Sequence, residues 1–376
     1  MKGEKDREGA TRVAIACGGT GGHTYPGLAT ARVLRDRGYE VTVLQAGRDV
    51  EAQTLSGWDG AVFKTGARQS KLSIPGSLCR TWREFGRNRP DVLVAMGSYT
   101  SLPPVVAAWL RGIPVVLHEA NAIPGKAIAF LARFARAAGI AFPEAARHFP
   151  PRVKIADVGM PLRAEFQRGT ASSRSDPSRF SLLVMGGSQG AKRLNEIVVD
   201  ALAEIRARHT GLASRLKVTH LAGARNEAAV RDLYARASLT GDAFEIVGFS
   251  NEMARLYAES DFCLSRAGAS SCMELALAGL PALFVPLPHL AADHQTRNAQ
   301  SMASRGAGDW RAQESLTPAL LADYLAGVAD DAARRAKMRE AMLAVARPDA
   351  ADRFADAVLA AVRSPPNRAP AEENAH

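Results

Sequence analysis

The chain has 376 residues, more than one hydrophobic core usually serves, so its length predicts two domains. Hydrophobic residues make up 47% of the sequence, which excludes a disordered chain, and no apolar run reaches the roughly 18 to 20 residues of a membrane-spanning helix. The net charge of +10 favours an anionic partner, whether nucleic acid, an acidic membrane surface or a phosphorylated substrate.

The first dozen residues, MKGEKDREGATR, are charged and lack the apolar stretch of a secretory signal, so we expect a cytoplasmic protein. The four cysteines are widely separated and show no CxxC pair or metal-ligand spacing. We therefore expect reduced, mostly buried thiols and no metal site.

Short β-rich runs alternate with helical stretches along the chain, which is typical of parallel α/β domains. In the first half the predicted strands are 12–17, 40–45, 92–95 and 114–117. In the second half they are 182–185, 217–221, 244–247, 262–264 and 282–285. The pattern predicts two doubly wound domains, with the ligand site in the cleft between them.

The domain boundaries follow from composition. We predict an N-terminal domain at 1–162, a linker rich in Ser, Arg and Pro at 163–180, and a C-terminal domain at 181–345. A C-terminal helix is predicted at 346–363, and it packs either on the second domain or back on the first. The tail at 364–376 is expected to be disordered.

The first predicted strand leads into a glycine-rich loop, Gly18-Gly19-Thr20-Gly21-Gly22-His23. Glycines there let the backbone approach a ligand closely, and the next helix, predicted to begin near Pro26, attracts negative charge. The dinucleotide fingerprint GxGxxG is not fulfilled, because Thr24 stands at its third glycine position. His23 is a candidate general base facing the cleft; the alternative is a histidine that only braces the turn.

A basic segment at 64–89 holds seven cations and one acid. Its large apolar residues recur on one helical face: Ile74, Leu78, Trp82 and Phe85. Such a helix fits a membrane contact with cations on acidic lipid headgroups, and the alternative is a face packed on the core. Nucleic acid is not expected, because no basic element interleaved with aromatic residues appears.

Two further loops follow predicted strands of the first half. The loop Gly97-Ser98-Tyr99-Thr100-Ser101 suits an acceptor's phosphates through backbone N–H groups, and an ordinary turn explains it equally well. The second, at 118–125, begins His118-Glu119-Ala120-Asn121 at the edge of the sheet where α/β sites lie, and Asn121 is its main candidate contact.

The second half opens with its own glycine-rich turn, GGSQGA, in which Ser188 suits a phosphate at the next helix N-terminus. No GxxxxGK[ST] pattern occurs, so a P-loop NTPase is excluded. Further on, SRAGASSCME places Ser270 or Ser271 at a predicted helix start and Glu274 one turn later, suited to both hydroxyls of a ribose. The alternative for Glu274 is favourable helix-dipole chemistry. The run 293–298 adds polar groups suited to sugar hydroxyls.

Six motifs occur in a fixed order: GGTGGHTYPGLA, GIPVVLHEAN, VGMPLR, GGSQGAKRLN, ELALAGLPALFVP and DHQTRNA. Together they resemble the MurG family, the UDP-N-acetylglucosamine:lipid I N-acetylglucosaminyltransferases of peptidoglycan synthesis. The resemblance spans about residues 13 to 306. It implies the GT-B architecture, in which two Rossmann-like doubly wound α/β domains face each other across a cleft. It also implies a cytoplasmic enzyme attached peripherally to the inner membrane, with a role in cell-wall biogenesis, cell shape and cell division.

The implied reaction is inverting transfer of N-acetylglucosamine from UDP-N-acetylglucosamine to the 4-hydroxyl of the muramic unit of undecaprenyl-pyrophosphoryl-MurNAc-pentapeptide. UDP-N-acetylglucosamine is then a substrate, and no cofactor or metal is required. The implied donor contacts are Thr20, Gly21, Gly22, Asn121, Arg163, Ser188, Phe249, Ser250, Ser270, Glu274 and Gln295. The implied acceptor contacts are Gly18, Gly19, His23, Ser98 and Tyr99. His23 is the first candidate base and Glu119 the second.

Three positions depart from the family pattern, all on the acceptor side or the hinge. Ser98 stands where the family has glycine, Ala120 replaces a glutamine, and Met160 replaces an asparagine. The alternatives to the implied reaction are a related GT-B transferase with a different lipid or small-molecule acceptor, a sugar-nucleotide epimerase, and an inactive membrane-bound scaffold.

Overall fold

The computed structural model describes residues 10–19, 21–47, 55, 57–67, 72–167, 178–187, 191–288 and 293–363. Two predicted site residues, Thr20 and Ser188, lie outside these ranges, as do the middle of the predicted linker and the C-terminal tail. The chain divides into two compact units. The first comprises 1–120, 124–163 and 349–376, and the second comprises 121–123 and 164–348.

The first unit is built on a parallel sheet in the order β3-β2-β1-β4-β5-β6-β7. Its strands are β1 Arg12–Ala16, β2 Glu40–Gln45, β3 Ala61–Lys64, β4 Val92–Ala95, β5 Val115–Glu119, β6 Ala137–Ile140 and β7 Lys154–Asp157. The strand order reverses between β1 and β4. In a doubly wound sheet the crevice outside the carboxyl ends at that reversal is the ligand site.

Helices cover both faces of this sheet. They are α1 Gly21–Asp36, α2 Ser73–Arg87, α3 Leu102–Leu110, α4 Lys126–Leu131 and, from the end of the chain, α14 Ala350–Arg363. Helix α1 begins before Pro26, earlier than predicted, so His23 lies in its first turn. Helices α1 and α14 pack on the same face, where Leu28, Phe354 and Val358 belong to one buried cluster with the inner strands. That packing explains why the C-terminal residues belong to the first unit.

The second unit contains a parallel sheet in the order β10-β9-β8-β11-β12-β13. Its strands are β8 Phe180–Met185, β9 Leu216–Leu221, β10 Phe244–Val247, β11 Phe262–Ser265, β12 Ala282–Phe284 and β13 Asp309–Trp310. Its helices are α5 Ala164–Gln167, α6 Lys192–Arg208, α7 Thr210–Ala213, α8 Glu227–Arg236, α9 Met253–Ala258, α10 Ala269–Ala278, α11 His294–Ser304, α12 Pro318–Asp330 and α13 Ala332–Val345. The order reverses between β8 and β11, which marks a second switch point.

The core of the second unit contains a polar network that joins three elements. His220 on β9 lies 3.0 Å from the Tyr234 hydroxyl on α8 and 3.2 Å from Asn195 Oδ1 on α6. The Asn195 amide donates to the Ala222 carbonyl at 3.0 Å. All three side chains are buried, and burial lowers the pKa of His220 to about 4, so the ring is neutral. The network fixes α6 on the sheet just after the glycine-rich turn.

The predicted membrane-contact face on α2 is only partly exposed. Trp82 lies at the surface, and Ile74 is half-buried. Leu78 packs against the core, and Phe85 is buried within it. The prediction was therefore wrong for Phe85, because the fourth position of the stripe turns inward onto the sheet. Among the described residues, no helix is long and apolar enough to cross a bilayer.

Candidate active site

In the first unit, two glycine-rich loops meet at the switch point between β1 and β4. A Cβ built on Gly19 would lie 2.7 Å from the Ser98 Oγ, and one built on Gly97 would lie 3.0 Å from the His23 Cδ2. Both glycines have positive φ, +129° and +98°. Side chains are therefore excluded at both positions. The close packing brings the predicted acceptor residues Gly19, His23 and Ser98 together.

His23 sits between these loops at the start of α1. Its ring is half-buried, and the surrounding protein removes enough water to lower the pKa of His23 to about 4. At neutral pH the imidazole is therefore uncharged and carries a lone pair, as a general base requires. The same depressed pKa makes it a weaker base than an exposed histidine.

Ser98 has a backbone conformation that L-residues rarely adopt, with φ 69° and ψ 150°. Its hydroxyl accepts from the Thr100 N–H at 3.5 Å and from the Thr100 hydroxyl at 3.2 Å. Tyr99, next in the chain, starts a short 3₁₀ turn at Tyr99–Ser101. Its buried hydroxyl has no hydrogen-bond partner among the described residues. The loop therefore offers a polar group to a ligand at Tyr99.

The two charged or polar residues at the end of β5 are buried. The Glu119 Oε2 accepts from the Gly125 N–H at 3.0 Å and so closes the loop that follows the strand. The His118 Nε2 lies 3.0 Å from the Gly159 carbonyl. Glu119 is thus committed to holding its own loop, which argues against its role as the second candidate base. Both residues belong to the strand, which runs two residues beyond its predicted end.

Four more predicted residues of the first unit lie in or near this loop pair. Gly18 is buried behind it, while Gly21 and Gly22 form the start of α1. Arg163 places its guanidinium 5.1 Å from the centre of the Tyr25 ring on α1. The arginine is half-buried and lies at the end of the first unit.

In the second unit, the reversal between β8 and β11 leads into α10. Gly268, in an extended conformation, precedes the helix, and Ser270 lies half-buried in its first turn. The first N–H groups of a helix have no intrahelical acceptor and attract anions. The predicted pyrophosphate position is therefore a real helix N-terminus at a switch point.

Glu274 lies one turn along α10 and is half-buried. Its Oε2 accepts a 2.8 Å hydrogen bond from the Tyr257 hydroxyl on α9. The same hydroxyl lies 3.8 Å from the Met185 sulfur at the end of β8. Tyr257 thereby orients the Glu274 carboxylate beside the N-terminus of α10. This position is compatible with a bidentate contact between the carboxylate and a ribose.

Gln295 lies in the first turn of α11, where its Oε1 accepts from the Leu287 N–H at 2.9 Å. A ligand would therefore meet the amide NH2 group of Gln295. Phe249 follows β10 and is 63% exposed, so its ring is open to stacking. Ser250 closes the same loop by accepting from the Glu252 N–H at 3.0 Å.

Asn121 is held in the second unit by Asn298, which the sequence analysis named only as one of the polar residues of the run 293–298. The buried Asn298 amide donates to the Asn121 Oδ1 and to the Ala267 carbonyl, both at 3.1 Å. Its own Oδ1 accepts from the Ala122 N–H at 2.9 Å. Every atom of this amide is used. The available signal was a polar residue at a core-facing position of α11.

Arg266 was also missed as a site residue. It is buried just after β11 and donates to the Val285 and Pro286 carbonyls, both at 3.0 Å, and to Gln313 at 2.6 Å. Burial lowers its pKa to about 10, with Glu314 opposing the shift, so it remains a cation at neutral pH. It supplies fixed positive charge next to the α10 N-terminus. The sequence feature that could have identified Arg266 is its position directly after a largely apolar strand.

No grouping of three or more His, Cys, Asp or Glu side chains with metal-binding geometry occurs within the described residues. Three of the cysteines are buried, and Cys79 is exposed. The described residues contain no ready ligand set for a divalent cation.

Comparison with known proteins connects both units to one group of enzymes. Residues 13–140 match the glycosyltransferase family 28 N-terminal domain, and residues 181–354 match its C-terminal domain. The UDP-N-acetylglucosamine–N-acetylmuramyl-(pentapeptide) pyrophosphoryl-undecaprenol N-acetylglucosamine transferase of Anaeromyxobacter dehalogenans is 36% identical over 366 residues, covering 94% of this chain and 93% of the relative. The chain belongs to glycosyltransferase family 28.

Solved structures agree with this family 28 assignment. The crystal structure of Acinetobacter baumannii MurG superimposes with a TM-score of 0.75 at 29% identity, covering 93% of this chain and 99% of that one. A Listeria monocytogenes protein described as a putative UDP-N-acetylglucosamine 2-epimerase gives a TM-score of 0.71 at 13% identity, over 93% of this chain and 96% of that one. That second likeness shows the fold alone. The predicted family and the predicted class of two Rossmann-like doubly wound domains are confirmed.

Proposed function

We propose that this protein transfers N-acetylglucosamine from UDP-N-acetylglucosamine to the 4-hydroxyl of the muramic unit of undecaprenyl-pyrophosphoryl-MurNAc-pentapeptide. The observation that carries the proposal is the full-length similarity to a transferase named for that reaction. Because it spans both units, it includes the donor-type and the acceptor-type loops together. The resemblance to an epimerase is confined to the fold.

We assign the donor to the second unit. The diphosphate would lie at the N-terminus of α10, with the buried cation of Arg266 adding positive potential. Glu274, oriented by Tyr257, would bind the ribose, and the exposed ring of Phe249 would stack on the base. The Gln295 amide would donate to a sugar hydroxyl. Arg266, Glu274 and Gln295 are held by hydrogen bonds within the protein, so these side chains need little ordering when the donor binds.

The acceptor belongs to the first unit in this proposal. Its 4-hydroxyl oxygen attacks the anomeric carbon, the bond from that carbon to the UDP oxygen breaks, and the configuration inverts. UDP leaves with the bonding electron pair. The helix N-terminus and Arg266 stabilise the charge that develops there, so we propose that no metal or cofactor is needed.

His23 would receive the hydroxyl proton. It is neutral at physiological pH and lies at the junction of both glycine-rich loops. Positioned general bases contribute roughly 10²- to 10⁴-fold to a rate. His23→Ala should therefore reduce kcat by that factor while leaving affinity for UDP-N-acetylglucosamine intact. Near-normal turnover in this variant would remove His23 as the base.

We further propose that the first unit rests on the inner face of the membrane through a surface broader than α2. Trp109 and Phe130 are 52% and 42% exposed and both stack on Phe134, with ring centroids 5.2 and 5.9 Å apart. The Arg111 guanidinium lies 4.0 Å from the centre of the Trp82 ring, and Arg133 lies 4.1 Å from the Phe130 centre. Aromatic rings interleaved with cations suit an interface with anionic lipids.

The decisive experiment measures transfer of labelled sugar from UDP-N-acetylglucosamine to a short-chain lipid I analogue, with UDP-glucose as the control donor. We expect a disaccharide product with the first donor and little with the second. Turnover of the donor without any acceptor would indicate an epimerase or hydrolase. Donor binding without transfer would indicate a different acceptor.

A further inference from the structure

The C-terminal helix α14 contributes an aromatic side chain to the first unit beside its glycine-rich loops. Phe354 is fully buried, and its ring occupies a slot above Gly139 on β6. A Cβ built on Gly139 would lie 2.6 Å from the Phe354 ring and 2.8 Å from Val158. The slot exists only because residue 139 has no side chain.

The Phe354 ring packs against the His118 ring with centroids 5.0 Å apart and planes at 63°. On its other side the His118 Nε2 lies 3.0 Å from the Gly159 carbonyl oxygen. A carbonyl can only accept, so Nε2 carries the hydrogen. Burial lowers the pKa of His118 to about 4. The nearby His23 also lowers this pKa, and the hydrogen bond to Gly159 raises it in part. The ring is thus held in one orientation and one neutral tautomer.

The Gly159 carbonyl, which accepts the hydrogen bond from His118, belongs to a bend in the backbone. Gly159 has φ +78°, and its N–H and that of Val158 both donate to the Ile140 carbonyl at 3.1 Å. The bend leads through residues 160–162 to Arg163, whose guanidinium stacks over Tyr25. Tyr25 lies on α1 two residues beyond His23. A rotation of the Gly159 peptide would therefore move the arginine that faces α1.

We propose that His118, locked by Phe354 and the Gly159 carbonyl, is a positioning residue that sets the Arg163 guanidinium for the substrate's diphosphate. The inference rests on the proposed function and on the family resemblance, which implies that Arg163 is a donor contact. It makes α14 a functional part of the site as well as a cover for the sheet. His118 itself touches no reacting atom.

Two isosteric substitutions separate this role from general packing. Glutamine places an amide N–H near the position of Nε2, whereas asparagine places its amide near Nδ1 and leaves the Gly159 carbonyl without a donor. We expect His118→Gln to keep the wild-type KM for UDP-N-acetylglucosamine within about twofold. His118→Asn should raise it by about three- to tenfold, the loss typical of one buried hydrogen bond.

A double-mutant cycle with Arg163→Ala tests whether the effect passes through the arginine. If it does, His118→Asn causes no further increase in KM once Arg163 is absent. Val358→Ala, also buried on α14, is the control for loss of packing, and it should lower Tm without changing KM. Equal KM values for the Gln and Asn variants, or additive effects in the cycle, would overturn the positioning role. Absence of sugar transfer by the wild-type protein would instead overturn the proposed function.

Discussion

Ser98 occupies a backbone region that is essentially restricted to glycine, with φ 69° and ψ 150°. The family pattern has glycine at this position, and the structure gives the physical reason. Such a conformation costs an L-residue about 1 to 3 kcal/mol. The local hydrogen bonds from Thr100 to the Ser98 hydroxyl compensate part of this cost.

We predict that Ser98→Gly raises the free energy of unfolding by about 1 kcal/mol, because relief of strain exceeds the extra freedom of glycine in the unfolded chain. Denaturant unfolding at pH 7 measures the change. Ser98→Ala is the matched control, since it removes the hydroxyl but keeps the Cβ, and it should not stabilise the protein. Equal stabilisation by both substitutions would assign the effect to the hydroxyl instead.

The low pKa of His23 fixes the pH dependence expected of a general base. Desolvation holds the pKa at about 4, so the neutral form persists as pH falls from 7. The acidic limb of kcat/KM, which reports the free enzyme, should therefore lie near pH 4 to 5 and not near 6.5. Circular dichroism at each pH separates this limb from unfolding. A limb at 6.5 with the fold intact would contradict the assignment.

Two helices of the second unit contribute to the proposed ribose position. Tyr257 on α9 donates to Glu274 on α10, and that bond orients the carboxylate. We predict that Tyr257→Phe weakens UDP-N-acetylglucosamine binding about three- to tenfold, the range for one hydrogen bond to a charged group that remains solvated. Titration calorimetry measures the change.

Tyr234→Phe is the matched control for this experiment. Tyr234 is also buried and hydrogen-bonded, but its partner is His220 and not Glu274. Its loss should reduce stability without reducing donor affinity. Similar affinity losses in both tyrosine variants would mean that Tyr257 acts through general packing.

At the level of helices α3 and α4, the exposed aromatic residues give a prediction about lipid. Trp109→Ala removes a half-exposed ring, and partial burial of such a ring against a bilayer contributes about 1 kcal/mol. We expect about fivefold weaker association with vesicles containing anionic lipid. Leu320→Ala, at a comparably exposed position of the second unit, should leave association unchanged. Equal effects would exclude a specific surface on the first unit.

The strands that could be predicted from sequence are those whose own residues are largely apolar or β-branched. The inner strands β1, β4, β8 and β11 are largely apolar and were predicted to within two residues at each end. The strands that sequence reasoning missed are β3, β6, β7 and β13. Strands β3 and β7 are mostly exposed edge strands, and β13 has two residues. Three of the four residues of β6 are Ala or Gly, which have low strand propensity. Their pairing is determined by neighbours and not by local pattern.

Site residues that belong to a sequence motif could be predicted. Residues that act by holding other groups in place were harder to recognise. Glycine loops and the Ser270–Glu274 helix start stand out as sequence patterns. Arg266 does not, and Asn298 does so only as a member of the DHQTRNA motif, because the roles of both depend on carbonyl groups that only the fold brings to them. The prediction that Phe85 contacts the membrane was wrong for a different reason. Helical spacing shows which residues share a face, but it does not show whether the core or the membrane covers that face.

For the whole molecule, three histidines with depressed pKa values set the response to acid. His118 and His220 are buried in different units, and both have a pKa near 4 against 6.5 in an unfolded chain. Between these values the unfolded state binds more protons, so stability falls as pH decreases from 6.5 towards 4. Each buried histidine contributes a loss of about 2 kcal/mol at pH 5.

We predict that His220→Gln flattens this acid dependence for the second unit. The variant will be less stable at pH 7, because the polar network is altered, but its loss between pH 7 and pH 5 should be about 2 kcal/mol smaller than that of wild type. Denaturant unfolding at both pH values gives the difference. Parallel pH profiles for the two proteins would mean that His220 titrates normally.

The position of α14 also has a consequence for biogenesis. Residues 349–363 complete the first unit, yet they follow the whole of 164–348 in the chain. At about 5 to 20 residues per second, a ribosome takes roughly ten to forty seconds to add that intervening stretch. During that interval the nascent first unit lacks Phe354 and Val358, and the apolar strip that they cover faces the solvent. Transiently exposed apolar surface is prone to aggregation, so we expect the nascent first unit to be most vulnerable until α14 has been synthesised.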